Sequence, residues 1–566
     1  MIILTNYTRD KLIQIFGHSM QQIDIIRIYE KKRCLVVDDL TEVRASYKRM
    51  LKSFGAIDVD TAANGDEAIQ KCETNQYELI LCDYNLADSK DGQQVLEELR
   101  HRELLKYTTL FIIITAEMSR EMVLGAIENQ PDDYITKPIS QQTMRLRVDR
   151  AVLKHENLLA IKMAIDEKDY GKAIEKCNEK IRTNNHYRIE CLQYKAQLLL
   201  LMGKYTEAKK IYEKVLSERE LVWAQIGLAK VLIKNEEYER VEPLLMMIVD
   251  NDHRYIEAYD LLSEYYEKTK DYRKSQEYTQ LATQLSPKSI IRHRRLAEIA
   301  EKNNDEATSL EAYENTIRWN YNSCYAQAED YLALARNTVS LTRESSNEII
   351  KEPIKKALAM LERMARRFPS NKNQVKLALI EAQLLSNQGK KDQAQTKLNI
   401  ANKEYEQLNL KDIDVRFDYA QSHIMLGNKQ KAYQELHIIY KEKKNDKKIL
   451  DKIDRISDEP ITTAGKQCAA DLTQQAIAAY AIKNYTLALK IFTDAHSMFP
   501  QHTGVSLNML QVILAKAENE GKNKTLYYNG KTCVQKLGII HTNNKHYKRY
   551  HRLLAQYNDM FSEFEV

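Results

Sequence analysis

Glycine and proline are scarce in this chain, at 15 and 8 of 566 residues, while charged residues make up 29%. So few of the strongest turn formers points to a soluble, mostly helical protein. No stretch approaches the ~18 apolar residues of a membrane helix. The opening MIILTNYTRDKLIQIFG carries Arg9, Asp10 and Lys11 without a sustained apolar core, so it reads as neither signal peptide nor anchor. Net charge is only +5 and no dense basic tract is visible, which disfavours nucleic acid as a partner. The eight cysteines are scattered with no CxxC, and Cys34 and Cys82 fall inside apolar runs. They read as reduced core residues of a cytoplasmic protein.

What is present is concentrated between residues 34 and 138. Four pieces stand out there: CLVVDD (34–39), LILCDYN (79–85), LFIIITAE (110–117) and YITKP (134–138). Each is a short apolar run closed by a polar group: Asp38 and Asp39, Asp83, Thr115, then Lys137. Such runs, separated by helical patterns, predict buried parallel strands. In an open α/β sheet the strand C-termini share one edge, where ligands bind. The spacing therefore brings three carboxylates, a hydroxyl and an ammonium to one crevice. Clustered carboxylates need a cation, and hard oxygen ligands with open water positions suit Mg²⁺. A carboxylate beside that ion is placed to attack a phosphoryl group, with Lys137 and Thr115 answering the charge on its oxygens. Paired aspartates can also be plain helix caps, and Lys-Pro a plain turn. It is the joint occurrence, each piece in strand-then-helix context, that favours chemistry.

These residues resemble the receiver domain of two-component response regulators. The resemblance implies a flavodoxin-like (βα)5 fold with strand order 2-1-3-4-5. It makes Asp83 the phosphoacceptor, and Asp38 and Asp39 the acidic pair. They would hold Mg²⁺ together with Asp83 and the Asn85 backbone carbonyl. Thr115 and Lys137 would contact the phosphoryl group, and Thr115 and Tyr134 would act as the switch pair. Asn85 and Glu117 would set phosphate lifetime. The family usually has proline four residues after the phosphoacceptor and glycine eight after it; here Ala87 and then ADSKDG put Gly92 nine residues on. Metal and phosphoryl groups lie outside that insertion.

A chain of this length has room for roughly three or four domains, or one domain plus a repeat array. Residues 1–31 form an N-terminal extension, with Leu12, Ile15 and Phe16 spaced for a short amphipathic helix. The receiver-like domain takes 32–153, with helices over 42–54, 65–74, 93–102, 120–129 and 141–156. The last continues onward with no Gly/Pro/Ser linker, which predicts a stiff connection. From about 154 strand signals stop. YGKA, YTEA, YERV and YRKS recur with their tyrosines 35, 33 and 34 residues apart, at Tyr170, Tyr205, Tyr238 and Tyr272. A period near 34 with helix–turn–helix patterning is the tetratricopeptide signature, giving an all-α superhelix. Small residues such as Ala196, Ala208, Ala229, Ser263, Ser275 and Ala282 let paired helices approach, and Tyr205, Tyr212, Tyr266 and Tyr272 fill the gaps. Pro287 ends a unit. Repeats are expected over 154–320, with divergent ones over 321–460 interrupted by a polar loop at 341–347. Repeats and capping helices fill 461–566, for roughly eight or nine units in all.

A repeat groove takes a protein or peptide. Trp223, Glu257, Asp260, Glu264, Glu267 and Arg294 fall on first-helix positions that usually face it. They could equally form a solvated helix face, and Trp223 is the best candidate anchor. No P-loop, HExxH, Gly-rich kinase loop, GGDEF- or EAL-type motif or phosphotransfer histidine is recognisable, and the repeats leave no room for a helix-turn-helix output. The expected function is a non-enzymatic response regulator, beyond any handling of its own phosphate. A histidine kinase or phosphotransfer protein would phosphorylate Asp83, repositioning Thr115 and Tyr134 and altering the face formed by the fourth and fifth helices. The output would be protein binding by the repeats. Two alternatives stay open: a phosphate sink or kinase-inhibiting auxiliary, similar to VieB-like receiver–tetratricopeptide proteins, and a constitutive scaffold docked through its receiver.

Overall fold

A computed structural model describes residues 25–86, 90–116, 131–183, 186–343, 350–537 and 546–564. The helices expected near Leu12 and over 120–129, the loop residues 87–89 and Glu117 lie outside the described residues. The chain divides into two compact units, Met1–Ala326 and Gln327–Val566. Among the described residues no helix is long and apolar enough to cross a membrane.

The first unit opens on a five-stranded parallel sheet ordered β2-β1-β3-β4-β5. Its strands are β1 Cys34–Val37, β2 Val59–Ala62, β3 Leu79–Asp83, β4 Leu110–Thr115 and β5 Asp133–Thr136. Every residue of β1, β3 and β4 is buried, so both faces must be covered by helices. Alternate residues serve opposite faces. On one side Val36, Leu81 and Ile112 pack under Tyr29, Leu51 and Val148. These come from α1 Ile25–Glu30, α2 Thr41–Phe54 and the start of α5 Gln141–Asp166. On the other, Leu35, Ile80 and Phe111 pack under Ile69, Val95 and Leu99 of α3 Gly65–Thr74 and α4 Gly92–His101.

The helix expected over 141–156 runs on to Asp166 as one 26-residue element, a rod of about 39 Å at the α-helical rise. Its first half buries Met144, Val148 and Val152 on the sheet; its second half buries Leu158, Ile161 and Ile165 against the next helices. Asp166 then clamps the approach to β4, accepting from Tyr107 N at 2.7 Å and from Thr108 N and Oγ1 at 3.0 and 2.7 Å.

Helical pairs follow: α6 Tyr170–Thr183, α7 Arg188–Leu201, α8 Tyr205–Glu218, α9 Val222–Lys234, α10 Val241–Asn251, α11 Ile256–Lys268, α12 Tyr272–Leu285, α13 Ile290–Lys302 and α14 Glu306–Trp319. Ala196, Ala208, Ala229 and Ala282 are fully buried at their crossings. Ser263 and Ser275 approach closely enough for their hydroxyls to meet at 3.1 Å, with Thr279 Oγ1 2.6 Å from Ser263. Tyr212 fills the space over Gly227.

The second unit comprises α15 Ala328–Arg343, α16 Lys351–Arg367, α17 Asn371–Asn387, α18 Lys391–Leu408, α19 Ile413–Met425, α20 Lys429–Glu442, α21 Lys447–Ile456, α22 Thr463–Ala481, α23 Tyr485–Met498, α24 Thr503–Glu520, α25 Lys524–Leu537 and α26 Tyr547–Phe561. Residues 341–343, expected in a polar loop, instead complete α15. Thr342 is buried and its hydroxyl donates to Thr338 O at 2.7 Å, so a polar side chain is satisfied inside the helix. Residues 344–349 lie outside the described residues. The first helices here meet through polar groups: Arg336 forks onto Asp418 at 2.9 and 2.6 Å, and Gln383 donates to Ser422 Oγ at 2.9 Å.

A β-carbon at Gly227 would lie 2.2 Å from the Tyr212 ring, and that ring is only 1% exposed. Gly227→Ala is therefore expected to destabilise the first unit by about 1–3 kcal/mol through overpacking. Urea unfolding should show a lowered midpoint, and adding Tyr212→Leu should restore part of it.

Candidate functional site

Strand register assembles the site. Val37 lies beside Cys82, Asp83 beside Ile114, and Thr115 beside Thr136. Asp38, Asp83, Thr115 and Lys137 thus end four neighbouring strands at one edge. Two backbone bonds pin the corner: Tyr84 N donates to Ile114 O, and Lys137 N to Thr115 O, both at 2.7 Å.

Lys137 Nζ sits between two carboxylates, 3.2 Å from Asp38 Oδ2 and 2.9 Å from Asp83 Oδ1. The Asp38 side chain is fully buried and that of Asp83 is 7% exposed, while Lys137 reaches solvent at 22%. The Asp83 contact has ion-pair distance without the alignment of a hydrogen bond, so its geometry is Coulombic. Asp38 divides its two oxygens, Oδ1 accepting from Leu40 N at 2.9 Å to turn the chain into α2. The residue that caps α2 is Leu40, which makes no side-chain cap bond, so Asp38 forms a turn ahead of the helix and does not cap it. Thr115 is buried, Asp39 half-buried and Asn85 exposed. Tyr134 is half-buried against the α3–α4 face of the sheet, and its carbonyl accepts from Arg147.

Two neighbours carry no motif. Arg44 of α2 donates to Asp38 O at 2.5 Å. Tyr47 is 7% exposed, one helical turn further on. Burial raises its pKa most, Lys137 opposes, and the Asp38 and Asp83 charges add to the rise. No local pattern announces either residue, because their approach depends on how α2 docks on the sheet.

Burial pushes the Asp83 carboxyl above the ordinary range; the adjacent Lys137 ammonium opposes this, and Asp38 and Asp39 reinforce it. Burial alone would depress Lys137, but Asp83 and Asp38 together hold its ammonium above its usual value.

Among the described residues no group of three His, Cys, Asp or Glu side chains forms a ready-made metal cage. Mg²⁺ does not need one, since it keeps several waters and takes one or two carboxylates. The buried Asp38 and Asp83, with Asp39 close enough to act on Asp83, give three carboxylates against one ammonium. That surplus negative charge, all on hard oxygens, fits the ion.

A family model described as response regulator receiver domain matches residues 34–149, and one described as tetratricopeptide repeat matches 199–265. The chain carries a response regulator receiver domain followed by tetratricopeptide repeats. The alkaline phosphatase synthesis transcriptional regulatory protein PhoP of Bacillus subtilis is 34% identical over 129 residues, 23% of this chain and 51% of its own length. Chemotaxis protein CheY-3 of Vibrio cholerae is 27% identical over 118 residues, 21% of this chain and 89% of its own. This chain thus spans about half of the first relative. Among solved structures, a CheY-like receiver domain from Methanospirillum hungatei is 29% identical, covering 22% of this chain and 96% of its own, with a TM-score of 0.20. MamA from Desulfovibrio magneticus is 23% identical, covering 29% and 92%, with a TM-score of 0.26.

In the repeats, the acidic groove candidates pair with cations on neighbouring first helices. Glu257 pairs with Lys230 at 2.6 Å, and Asp260 with Arg292 at 2.8 and 2.7 Å. Glu264 lies 3.9 Å from Lys234, and Glu267 meets both Arg295 and Lys302. Arg294 donates to Tyr325 O at 2.8 Å. Trp223, expected as an exposed anchor, is half-buried: its ring packs edge-on to Tyr212 at 6.0 Å as part of the core between repeats.

The raised pKa of Asp83 gives a signed stability effect. A carboxyl raised in the folded state favours folding when protonated, and that contribution is lost as pH rises through the folded value. In metal-free protein, Asp83→Asn is expected to raise the melting temperature at neutral pH. The gain should shrink toward nothing as pH falls into the ordinary carboxylate range, as thermal melts across pH would show.

Proposed function

We propose that the chain is a phosphorelay response regulator in which Asp83 accepts the phosphoryl group and the repeats carry the output by binding another protein. The observation that supports this most is the Lys137 ammonium held 3.2 and 2.9 Å from two buried carboxylates beside Thr115. An Asp83 oxygen attacks phosphorus, the bond from phosphorus to the donor breaks, and the donor leaves with the electron pair. The donor is a phosphohistidine of a sensor histidine kinase or phosphotransfer protein, or a small acyl phosphate. Lys137 moves from pairing with the carboxylate to pairing with a phosphoryl oxygen, and the Thr115 hydroxyl donates to another. Asp38, Asp39, Asp83 and the Asn85 carbonyl would hold Mg²⁺. When bound, that ion supplies the remaining neutralisation of charge on the transferring group. The bond from Leu40 N to Asp38 Oδ1 leaves Oδ2 to face the site.

The test is incubation of full-length protein with acetyl phosphate and magnesium, read by intact mass. One phosphoryl group is expected on wild type, none on Asp83→Asn, and none when EDTA replaces magnesium. Lys137→Ala and Thr115→Ala should each slow uptake by on the order of 10²-fold, the scale of losing one preorganised charge-stabilising group. Uptake unchanged in Asp83→Asn would move the acceptor elsewhere.

A further inference from the structure

Close to Asp83 along the chain, at Tyr84 and Asp91, the receiver meets the repeats. Gly92 opens α4 so close to β3 that a β-carbon there would stand 2.4 Å from the Asp83 carbonyl oxygen and 3.1 Å from Tyr84 Cα. Its amide donates to Tyr84 O at 2.8 Å. Asp91 caps the helix: its carboxylate accepts from Gln94 N at 2.8 Å while its own N–H donates to Gln94 Oε1 at 3.1 Å. In contact this tight, a displacement of the Asp83 backbone is passed to Tyr84 and the Asp91 cap.

A side chain from the repeats touches both. Lys288, in the turn between α12 and α13, places Nζ 3.6 Å from Asp91 Oδ2. The same ammonium is 5.8 Å from the Tyr84 ring centre and 5.9 Å from that of Trp319. A cavity of about 440 Å³ surrounds it, walled by Asp91 and Gln94 on one side and by Arg292 and Trp319 on the other. Arg292 is fixed by its fork onto Asp260, whereas the Lys288 side chain is 32% exposed and has room to swing. The repeat wall is rigid and its lysine is adjustable.

We propose that Lys288 is a latch, closed on Asp91 and Tyr84 when Asp83 is unmodified and opened when Asp83 carries phosphate. This rests on the reading of Asp83 as phosphoacceptor. It adds a route to the repeats that does not run through α5 or through Thr115 and Tyr134. The latch favours the unmodified state, so by reciprocity its removal favours phosphorylation.

Trp319 reports on the contact, because the chain has only two tryptophans and Trp223→Phe leaves it alone. The experiment uses full-length Trp223→Phe protein with acetyl phosphate and magnesium, following intact mass and Trp319 emission together. Emission is expected to change as phosphate is taken up. Lys288→Gln, and separately Asp91→Asn, which keeps a competent helix cap, should abolish that change. Each should also raise the ratio of phosphorylated to unmodified protein about two- to fivefold, the scale of one partly exposed ion pair. The double variant should add nothing beyond either single one, and Lys288→Arg should behave as the parent. Phosphate uptake with unchanged Trp319 emission, or variants indistinguishable from the parent, overturns the latch while leaving the phosphoacceptor intact. No mass gain in any protein removes the phosphoacceptor reading, and the latch with it.

Discussion

The ammonium of Lys137 is what allows Asp38 and Asp83 to be buried side by side. Two carboxylates withdrawn from water at adjoining strand ends repel each other and lose hydration, and neither loss is recovered by packing. One cation at 3.2 and 2.9 Å offsets only part of this: burial still dominates at Asp83, and the Asp38 and Asp39 charges add to it. Asp83 is left with its carboxyl raised and its site short of positive charge. A group held that way is ready to exchange a proton, a metal or a phosphoryl group, which a fully neutralised ion pair is not.

That arrangement depends on register. Lys137 follows β5, and β5 reaches the site only because Thr136 pairs with Thr115, which follows the residue paired with Asp83. A slip of one residue in a buried parallel strand would exchange its two faces, sending Leu35 and Ile80 to the side of Val36 and Leu81. The uninterrupted apolar runs make such a slip expensive only because both faces are packed. The helices that close the faces are therefore part of what positions the charges.

The same logic explains what could be read from the sequence. Asp38, Asp83, Thr115 and Lys137 each end an apolar run, and a parallel sheet sorts run ends to one edge, so their convergence was legible. Arg44 and Tyr47 were not, since their approach depends on how α2 docks and no local pattern encodes that. The regular repeats were legible because Ala196, Ala208 and Ala229 must be small where helices cross. The middle repeats were harder to read because, beside buried Ala335, Ala382 and Ala420, their first helices also meet through Arg336–Asp418 and Gln383–Ser422 bonds that follow no repeat period. Trp223 proved half-buried against Tyr212, which an aromatic at a helix start does not reveal in sequence. The acidic groove candidates were placed on the right helices, but cations one repeat away already neutralise them. A partner entering there competes with existing pairs, which makes selectivity a matter of exchange instead of simple attraction.

The receiver and the repeats also touch at His101 with Tyr325 and at Glu103 with Lys168, but two of their connections are of opposite character. α5 is continuous, lacks glycine and proline, and has its far end clamped by Asp166 on the loop before β4. It fixes geometry and resists bending. The contact at Lys288 is half-exposed, surrounded by space and worth little by itself. Weakness suits a switch. Modification of one carboxylate can shift an equilibrium only by the difference in its interactions between two states. A strong second tie would hold one state whatever happened at Asp83. A rigid strut to keep the bodies aligned and a marginal contact to be made or broken are complementary, and a chain with either alone would be locked or unguided.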